Sequence, residues 1–199
     1  IVTVLFACLI GSALLFYAGW ELIIVGLLCV LFAFLYTTGP YPLSYNGWGD
    51  VLVIVFFGFV PVGGTYYVQA LTWTSDTTVA SLICGLLIDT LLVVNNYRDR
   101  EADARSGKRT VIVRFGEKFG RYLYLMLGVA ASLLCFWFFF EGHLFASLLP
   151  LLYLIPHVLT WRRMVQIHSG KKLNSILGET SRNMLLMGIL LSIGFLIRH

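Results

Sequence analysis

The stretch TTVASLICGLLIDTLLVVNNYRDREADARSGKRT, residues 77–110, changes character once. From 77 to 95 it is apolar with a single charge, Asp89, and from 95 to 110 it is crowded with Asp, Glu, Arg and Lys. An apolar run of about 20 residues, wound as an α-helix, matches the hydrocarbon thickness of a bilayer. An open strand in lipid would leave backbone N–H and C=O groups unpaired. The stretch therefore reads as a transmembrane helix whose end continues past the membrane surface as a charged helical turn or two.

Working outward, further apolar runs occupy about 1–18, 21–37, 51–70, 119–140, 144–161 and 183–197. With 77–95 they predict seven spans, an all-α multi-pass transmembrane bundle forming one domain over residues 1–199. Composition agrees: 59% of residues are hydrophobic and 12% charged, with a mean hydropathy of +0.86, against about 25% charged in soluble domains. A soluble globular protein is excluded. Cys8, Cys29, Cys84 and Cys135 fall inside apolar runs without metal or disulfide spacing and read as small core residues.

Charge sets the orientation. All 14 Lys and Arg lie at or after Arg98, concentrated in the connections 96–118 and 162–182. Two spans separate these connections, so both lie on one face, and the basic excess makes that face cytoplasmic. The same parity places the connection 36–50 there and has residue 1 entering from the cytoplasm. A formal net charge of +4 without a basic stripe interleaved with exposed aromatics gives no reason to expect a nucleic-acid partner. Tyr17, Trp20, Tyr36, Trp48, Trp73 and Trp161, at span ends, suit the bilayer interface.

Within NNYRDREADARSGKRT, residues 95–110, Asn95, Asp99 and Asp103 recur at i, i+4 and i+8, with Asn96 three before Asp99. These oxygen-bearing side chains share one helical flank. Two carboxylates one turn apart repel by a few tenths of a kcal/mol, a cost that reverses when a divalent cation lies between them. Mg2+ suits hard oxygen ligands, keeps several waters, and commonly joins one or two carboxylates to substrate phosphates. Arg105, Lys108 and Arg109 follow, and Gly107 allows a turn that folds them back towards the acids. Mg2+ with Arg and Lys neutralises the charge developing on a departing diphosphate. A solvated juxtamembrane helix whose charges merely pair with each other is the alternative from spacing alone.

Asp89 is costly within a span, by about 2.5–3.5 kcal/mol at a helix centre. Asp89, Asn96 and Asp103 lie seven apart, which points Asp89 towards the same cavity. The connection YTTGPYPLSYNGWGD, residues 36–50, is a second lining candidate, stiffened by Pro40 and Pro42 and turned at Gly39, Gly47 and Gly49. Tyr36, Tyr41 and Tyr45 would there face a carbocation or an aromatic substrate, and Asp50 would orient a basic partner; interfacial anchoring explains the same tyrosines. His143, His157, His168 and His199 show no metal spacing. Pro61, Gly63 and Gly64 mark a kink or a close helix contact.

The segments at 95–110 and 36–50, with LNSILGETSRNMLLMGILLSIG near the end, resemble the UbiA superfamily of intramembrane prenyltransferases, most of all its 1,4-dihydroxy-2-naphthoate-prenylating branch of menaquinone synthesis. The likeness runs through nearly the whole chain. It implies a nine-helix bundle in the bacterial cytoplasmic membrane with two Asp-rich motifs, the second ending the sixth helix. Here that motif ends the fourth span, so two helices and the first motif are expected upstream of residue 1, and the 199 residues alone are expected to be inactive. The likeness further implies that Asp99 and Asp103 bind Mg2+ and, with Tyr36 and Tyr41, form the catalytic set. Asn95, Asn96, Arg98, Arg105, Lys108 and Arg109 would bind the diphosphate of a polyprenyl donor. The reaction would prenylate 1,4-dihydroxy-2-naphthoate with loss of CO2 and diphosphate, giving demethylmenaquinone. Another acceptor, such as 4-hydroxybenzoate, homogentisate or haem, is an alternative. An ion-coupled transporter using Asp89, Asp99 and Asp103 is a third reading.

Overall fold

The computed structural model describes residues 2–197. Ile1 and His199 lie outside them, and with them the expectations for the entry point and for His199. The chain is a bundle of apolar helices: α1 (Val2–Ser12), α2 (Glu21–Thr37), α3 (Gly49–Ala70), α4 (Ser75–Arg105), α5 (Glu117–Phe140), α6 (Leu144–Ile167) and α7 (Lys171–Leu196). Among the described residues there is no strand. Five helices, α3 to α7, are long and apolar enough to cross a membrane. The shorter α1 and α2 bury no residue.

Two boundaries differ from expectation. The first apolar run is broken: α1 stops at Ser12, and a separate turn of helix runs from Leu15 to Ala18. Ser12 Oγ donates to the Leu9 carbonyl at 2.7 Å, and the Ala13 and Leu14 N–H groups bond three residues back rather than four, so local side-chain competition tightens and ends the helix. At the other end, α7 begins well before residue 183 because its polar residues find partners. Glu179, Thr180 and Asn183 are buried in the bundle. Asn183 Nδ2 donates to Thr160 Oγ1 at 3.0 Å, and Arg163 Nη1 pairs with Glu179 Oε1 at 2.5 Å.

The core lies among α4, α5, α6 and α7. Val93, Val94, Tyr97, Ile112, Tyr124 and Met164 pack at one end, and Ile83, Ala131, Phe138, Tyr153 and Met187 at the other. His157, fully buried, stacks between Tyr124 and Tyr153, with ring centroids 4.7 and 5.0 Å away. Tyr153 Oη lies 2.9 Å from its Nδ1 and the Leu125 carbonyl 3.3 Å from its Nε2, so both ring nitrogens are satisfied and the residue is a packing element.

Helix α3 lies against α4 through glycine. A Cβ on Gly58 would stand 2.5 Å from the Ser81 carbonyl oxygen and 2.8 Å from Gly85 Cα, and one on Gly85 would stand 2.9 Å from Ile54 Cα. Two backbones approach this closely only where side chains are missing. From Ile54 to Gly63 this helix has π geometry around Pro61, which lacks an N–H and excludes a normal α turn. The expected contact at Gly63 is made with the Trp73 indole. The cysteines depart from expectation: only Cys135 is buried, and Cys8 is exposed on α1, none of whose described residues is buried.

Three connections meet at one end of the bundle. Arg98 Nη1 donates to Asn174 Oδ1 at 3.0 Å, joining the first basic connection to the second. The Arg109 N–H donates to the Tyr45 carbonyl at 2.7 Å, and Arg114 Nη2 to the Asn46 carbonyl at 2.7 Å. The connection 36–50 thus lies where span parity put it.

Candidate active site

Helix α4 carries the site because it is long. Its N-cap is Thr74, whose Oγ1 accepts from the Thr77 N–H at 3.1 Å, and it runs unbroken for 31 residues to Arg105. At about 1.5 Å per residue this exceeds a bilayer's hydrocarbon thickness, so the helix is long enough for its charged end, from Arg98 on, to continue past an apolar span.

Beyond Ser106 the chain reverses at Gly107, whose φ of +78° is the left-handed conformation that glycine adopts without strain. The Lys108 N–H then caps the helix on the Asp103 carbonyl at 2.9 Å, and Lys108 Nζ comes to 3.4 Å from Asp103 Oδ2. One cation is folded back over the acids as expected. Arg105 and Arg109 are not: both side chains are exposed and have no partner among the described residues. The turn is tight enough to return only the residue immediately after the glycine.

Arg98 is engaged by its own helix and by α7. Its Nε donates to Asp99 Oδ1 at 2.7 Å and its Nη2 to Asp99 Oδ2 at 2.6 Å, a bidentate fork, while Nη2 also reaches Asn95 Oδ1 at 2.7 Å. With the bond to Asn174, this guanidinium ties Asn95, Asp99 and α7 into one unit. Asp99 is therefore neutralised by its own neighbour, whereas Asp103 Oδ2 is buried and accepts no hydrogen bond.

Asn96 is buried and turns from that flank into a small cleft lined by Tyr36, Ser44, Gly47, Gly49, Asp50, Asn96, Lys108 and Thr110. The cleft unites α2, the connection 36–50, α3, α4 and the turn after Gly107. Ser44 Oγ holds the Tyr36 carbonyl at 2.6 Å, and Thr110 Oγ1 caps the helix Val111–Phe115 through the Val113 N–H at 3.2 Å. Of the three tyrosines proposed to line a pocket, Tyr36 does so; Tyr41 and Tyr45 are 57% and 42% exposed and stand outside the lining. Asp89 is buried but does not line the cleft, contrary to the expectation from its seven-residue spacing, and its Oδ1 and the Oδ1 of Asp50 both lack a hydrogen-bond partner.

Glu117 gathers a separate group of charges. It pairs with Arg121 and with Arg100 Nη2 at 3.3 Å, and accepts from Tyr97 Oη at 3.1 Å. Arg100 lies 4.5 Å over the Tyr97 ring, so these cations hold helices together and leave the cleft to Lys108. Ser44 and Asn174, and the capping role of Thr110, escaped the sequence reading. Thr110 was legible as a helix cap ahead of an apolar run; Asn174 carried no local signal, because its partner is 76 residues away.

Asp99, Asp103, Asn95 and Asn96 present hard oxygens suited to Mg2+. Among the described residues no group of three or more His, Cys, Asp or Glu is placed to hold a metal by itself. A two-carboxylate site completed by substrate oxygens fits that arrangement, and Asp103 Oδ2, buried without a hydrogen bond and held only by the ion pair with Lys108, is a ligand atom for it.

Comparison with known proteins reaches the same place. The model of the UbiA prenyltransferase family matches residues 1–193. The 1,4-dihydroxy-2-naphthoate octaprenyltransferase of Haemophilus influenzae is 38% identical over 181 residues, covering 87% of this chain and 56% of its own length. Its namesake in Escherichia coli is 39% identical over 141 residues, covering 68% and 46%, and that of Mycobacterium leprae 43% identical over 124 residues, covering 62% and 42%. The chain spans about half the length of the curated relatives it matches. No solved structure matches. The chain belongs to the UbiA prenyltransferase family.

Proposed function

We propose that the protein transfers a polyprenyl group from polyprenyl diphosphate to 1,4-dihydroxy-2-naphthoate, releasing diphosphate and CO2 and giving the hydroquinone form of demethylmenaquinone. The observation that carries this reading is the meeting of Asp103 and Lys108 at the cleft holding Tyr36, Asp50 and Asn96, beside the Arg98–Asp99 fork. The printed names of the similar proteins support the naphthoate acceptor. The excess of Lys and Arg in the connections at this end of the bundle supports its lying at the cytoplasmic face of the membrane.

Asp99 and Asp103 would hold Mg2+, which when bound neutralises charge on the diphosphate leaving group. Lys108 supplies a point charge to the phosphate oxygens from a position already fixed by the turn at Gly107. Arg105 and Arg109, exposed and uncommitted, are free to close on the diphosphate when the donor arrives. Arg98 keeps the Asp99 carboxylate oriented rather than gripping substrate. The prenyl tail lies among apolar helix faces, which exclude water from an allylic cation. Tyr36 borders the cleft where the ring of the acceptor meets that cation.

The test is an assay of the full-length protein in membranes with polyprenyl diphosphate and a panel of aromatic acceptors, with and without Mg2+. The expected product is the prenylated naphthoate, formed only with the metal. Preferred use of 4-hydroxybenzoate, homogentisate or haem would overturn the acceptor, and metal-independent transfer would overturn the role of Asp99 and Asp103.

A further inference from the structure

Helices α6 and α7, joined by a short turn, pack side by side, and a groove of about 480 Å3 opens between them at their basic end. It shares no lining residue with the cleft beside Asp103. Its floor is polar and internally bonded: Thr160, Glu179 and Asn183 are buried, Asn183 Nδ2 donates to Thr160 Oγ1 at 3.0 Å, and Thr160 Oγ1 donates to Glu179 Oε2 at 3.4 Å. Arg163 pairs with Glu179 Oε1, so the acid of the lining is already answered. Arg162 and Arg182 also line the groove, are exposed, and have no hydrogen-bond or ion-pair partner among the described residues. Three arginines against one glutamate leave a surplus of two positive charges.

Hydrocarbon surface continues from those charges. On α6, Leu152, Ile155, Leu159 and Arg162 recur three or four residues apart, and on α7 so do Arg182, Leu185, Ile189 and Ile193, so each set forms one stripe of its helix. The apolar members are exposed. Both stripes change from apolar to cationic at the same end, and Leu159, Arg162 and Arg182 bring them together in the groove. Membrane topology asks only for basic residues somewhere on this side. It does not ask that three arginines surround one groove with an apolar wall.

We infer that the groove between α6 and α7 binds an anionic glycerophospholipid of the adjoining leaflet. Arg162 and Arg182 hold its phosphate, since guanidinium grips phosphate oxygens in a bidentate fork, and its acyl chains lie along the two apolar stripes. Basic pockets between membrane helices take anionic headgroups in this way. A free phosphate would use the cations and leave the stripes bare. The bound lipid bridges α6 to α7 and so braces the helix whose Asn174 holds Arg98. This site is additional to prenyl transfer and does not depend on which acceptor is used.

The experiment titrates delipidated full-length protein, in zwitterionic detergent, with phosphatidylglycerol and counts bound lipid by native mass spectrometry. Phosphatidylglycerol should bind and raise the melting temperature, and phosphatidylcholine should bind more weakly. Arg162→Gln and Arg182→Gln should each weaken phosphatidylglycerol binding about fivefold, and together about 25-fold. Both side chains are exposed and unpaired, so neither change disturbs packing. Lys118→Gln, which removes an exposed cation outside the groove, should leave binding unaltered. Equal weakening by Lys118→Gln would reduce the effect to general surface charge and overturn the inference. Displacement of the lipid by inorganic phosphate would overturn the lipid as occupant. Displacement by polyprenyl diphosphate, with a raised donor KM in Arg182→Gln, would give the groove to the donor and overturn it too. Failure to bind phosphatidylglycerol, as when another part of the full-length chain covers the groove, would likewise sink it.

Discussion

Replacing Arg98 by Lys separates orientation from substrate binding. The guanidinium makes four hydrogen bonds: two to Asp99 at 2.7 and 2.6 Å, one to Asn95 at 2.7 Å and one to Asn174 at 3.0 Å. A lysine ammonium keeps the charge but cannot form a planar fork. Bonds to charged groups are each worth about 1.5–3 kcal/mol when sheltered, but the side chains of Arg98 and Asp99 are 24% and 37% exposed, and solvent screening reduces the pair to about 1 kcal/mol. Global stability should therefore change little. The larger effect is on the Asp99 carboxylate, which loses its fixed rotamer. A misplaced ligand raising the barrier by about 1.4–2.7 kcal/mol lowers kcat about 10–100-fold. The assay is steady-state prenyl transfer by full-length protein at saturating donor, with Mg2+ titrated for each variant. Arg98→Lys should lower kcat by that factor and raise the half-saturating Mg2+ concentration, with the donor KM nearly unchanged. A large rise in donor KM with kcat and the Mg2+ midpoint unaltered would refute the argument and return Arg98 to the diphosphate.

Asp103→Asn should abolish transfer while the helical circular dichroism of the membrane-reconstituted protein stays the same; retained turnover would remove Asp103 from the metal site. Tyr41→Phe should leave turnover within about twofold, since Tyr41 is 57% exposed and outside the cleft, whereas Tyr36→Phe should slow it, and the two rates measured side by side decide between them. Gly58→Ala forces a methyl against the Ser81 carbonyl and Gly85 and should cost about 1–3 kcal/mol, read as a lower melting temperature in detergent; an unchanged melting temperature would mean the two helices are not tightly apposed. Tyr153→Phe strands His157 Nδ1 in the core, with an expected loss of about 1–3 kcal/mol in the same measurement.

Particular residues show how far the chain could be read without coordinates. The run 77–105 is legible as one helix because apolar side chains and backbone hydrogen bonding in lipid leave no competing conformation, and its charged end follows by continuity. The seven-residue stripe Asp89, Asn96, Asp103 is legible for the same reason: helical period is a local property. The break after Ser12 was hidden, because apolar composition does not register a serine bonding back to Leu9. Arg105, Lys108 and Arg109 look alike in sequence, and only the tightness of the turn at Gly107 selects Lys108. Tyr36 and Tyr41 are likewise equivalent until the fold sets one half-buried in the cleft lining and leaves the other outside.

What the amino-acid sequence determined by itself is everything that depends on solvent and on neighbours within a helical turn or two: a membrane bundle, its spans, and an acidic helical end with oxygen ligands at one face. Only the tertiary structure decided which charges are spent on each other. Arg98 finds Asn174 across 76 residues, and Arg114 finds the Asn46 carbonyl across 68. Such pairings depend on how helices pack, through contacts such as Gly58 against Gly85, and a short-range pattern carries no information about the distance between two side chains that the chain itself does not join.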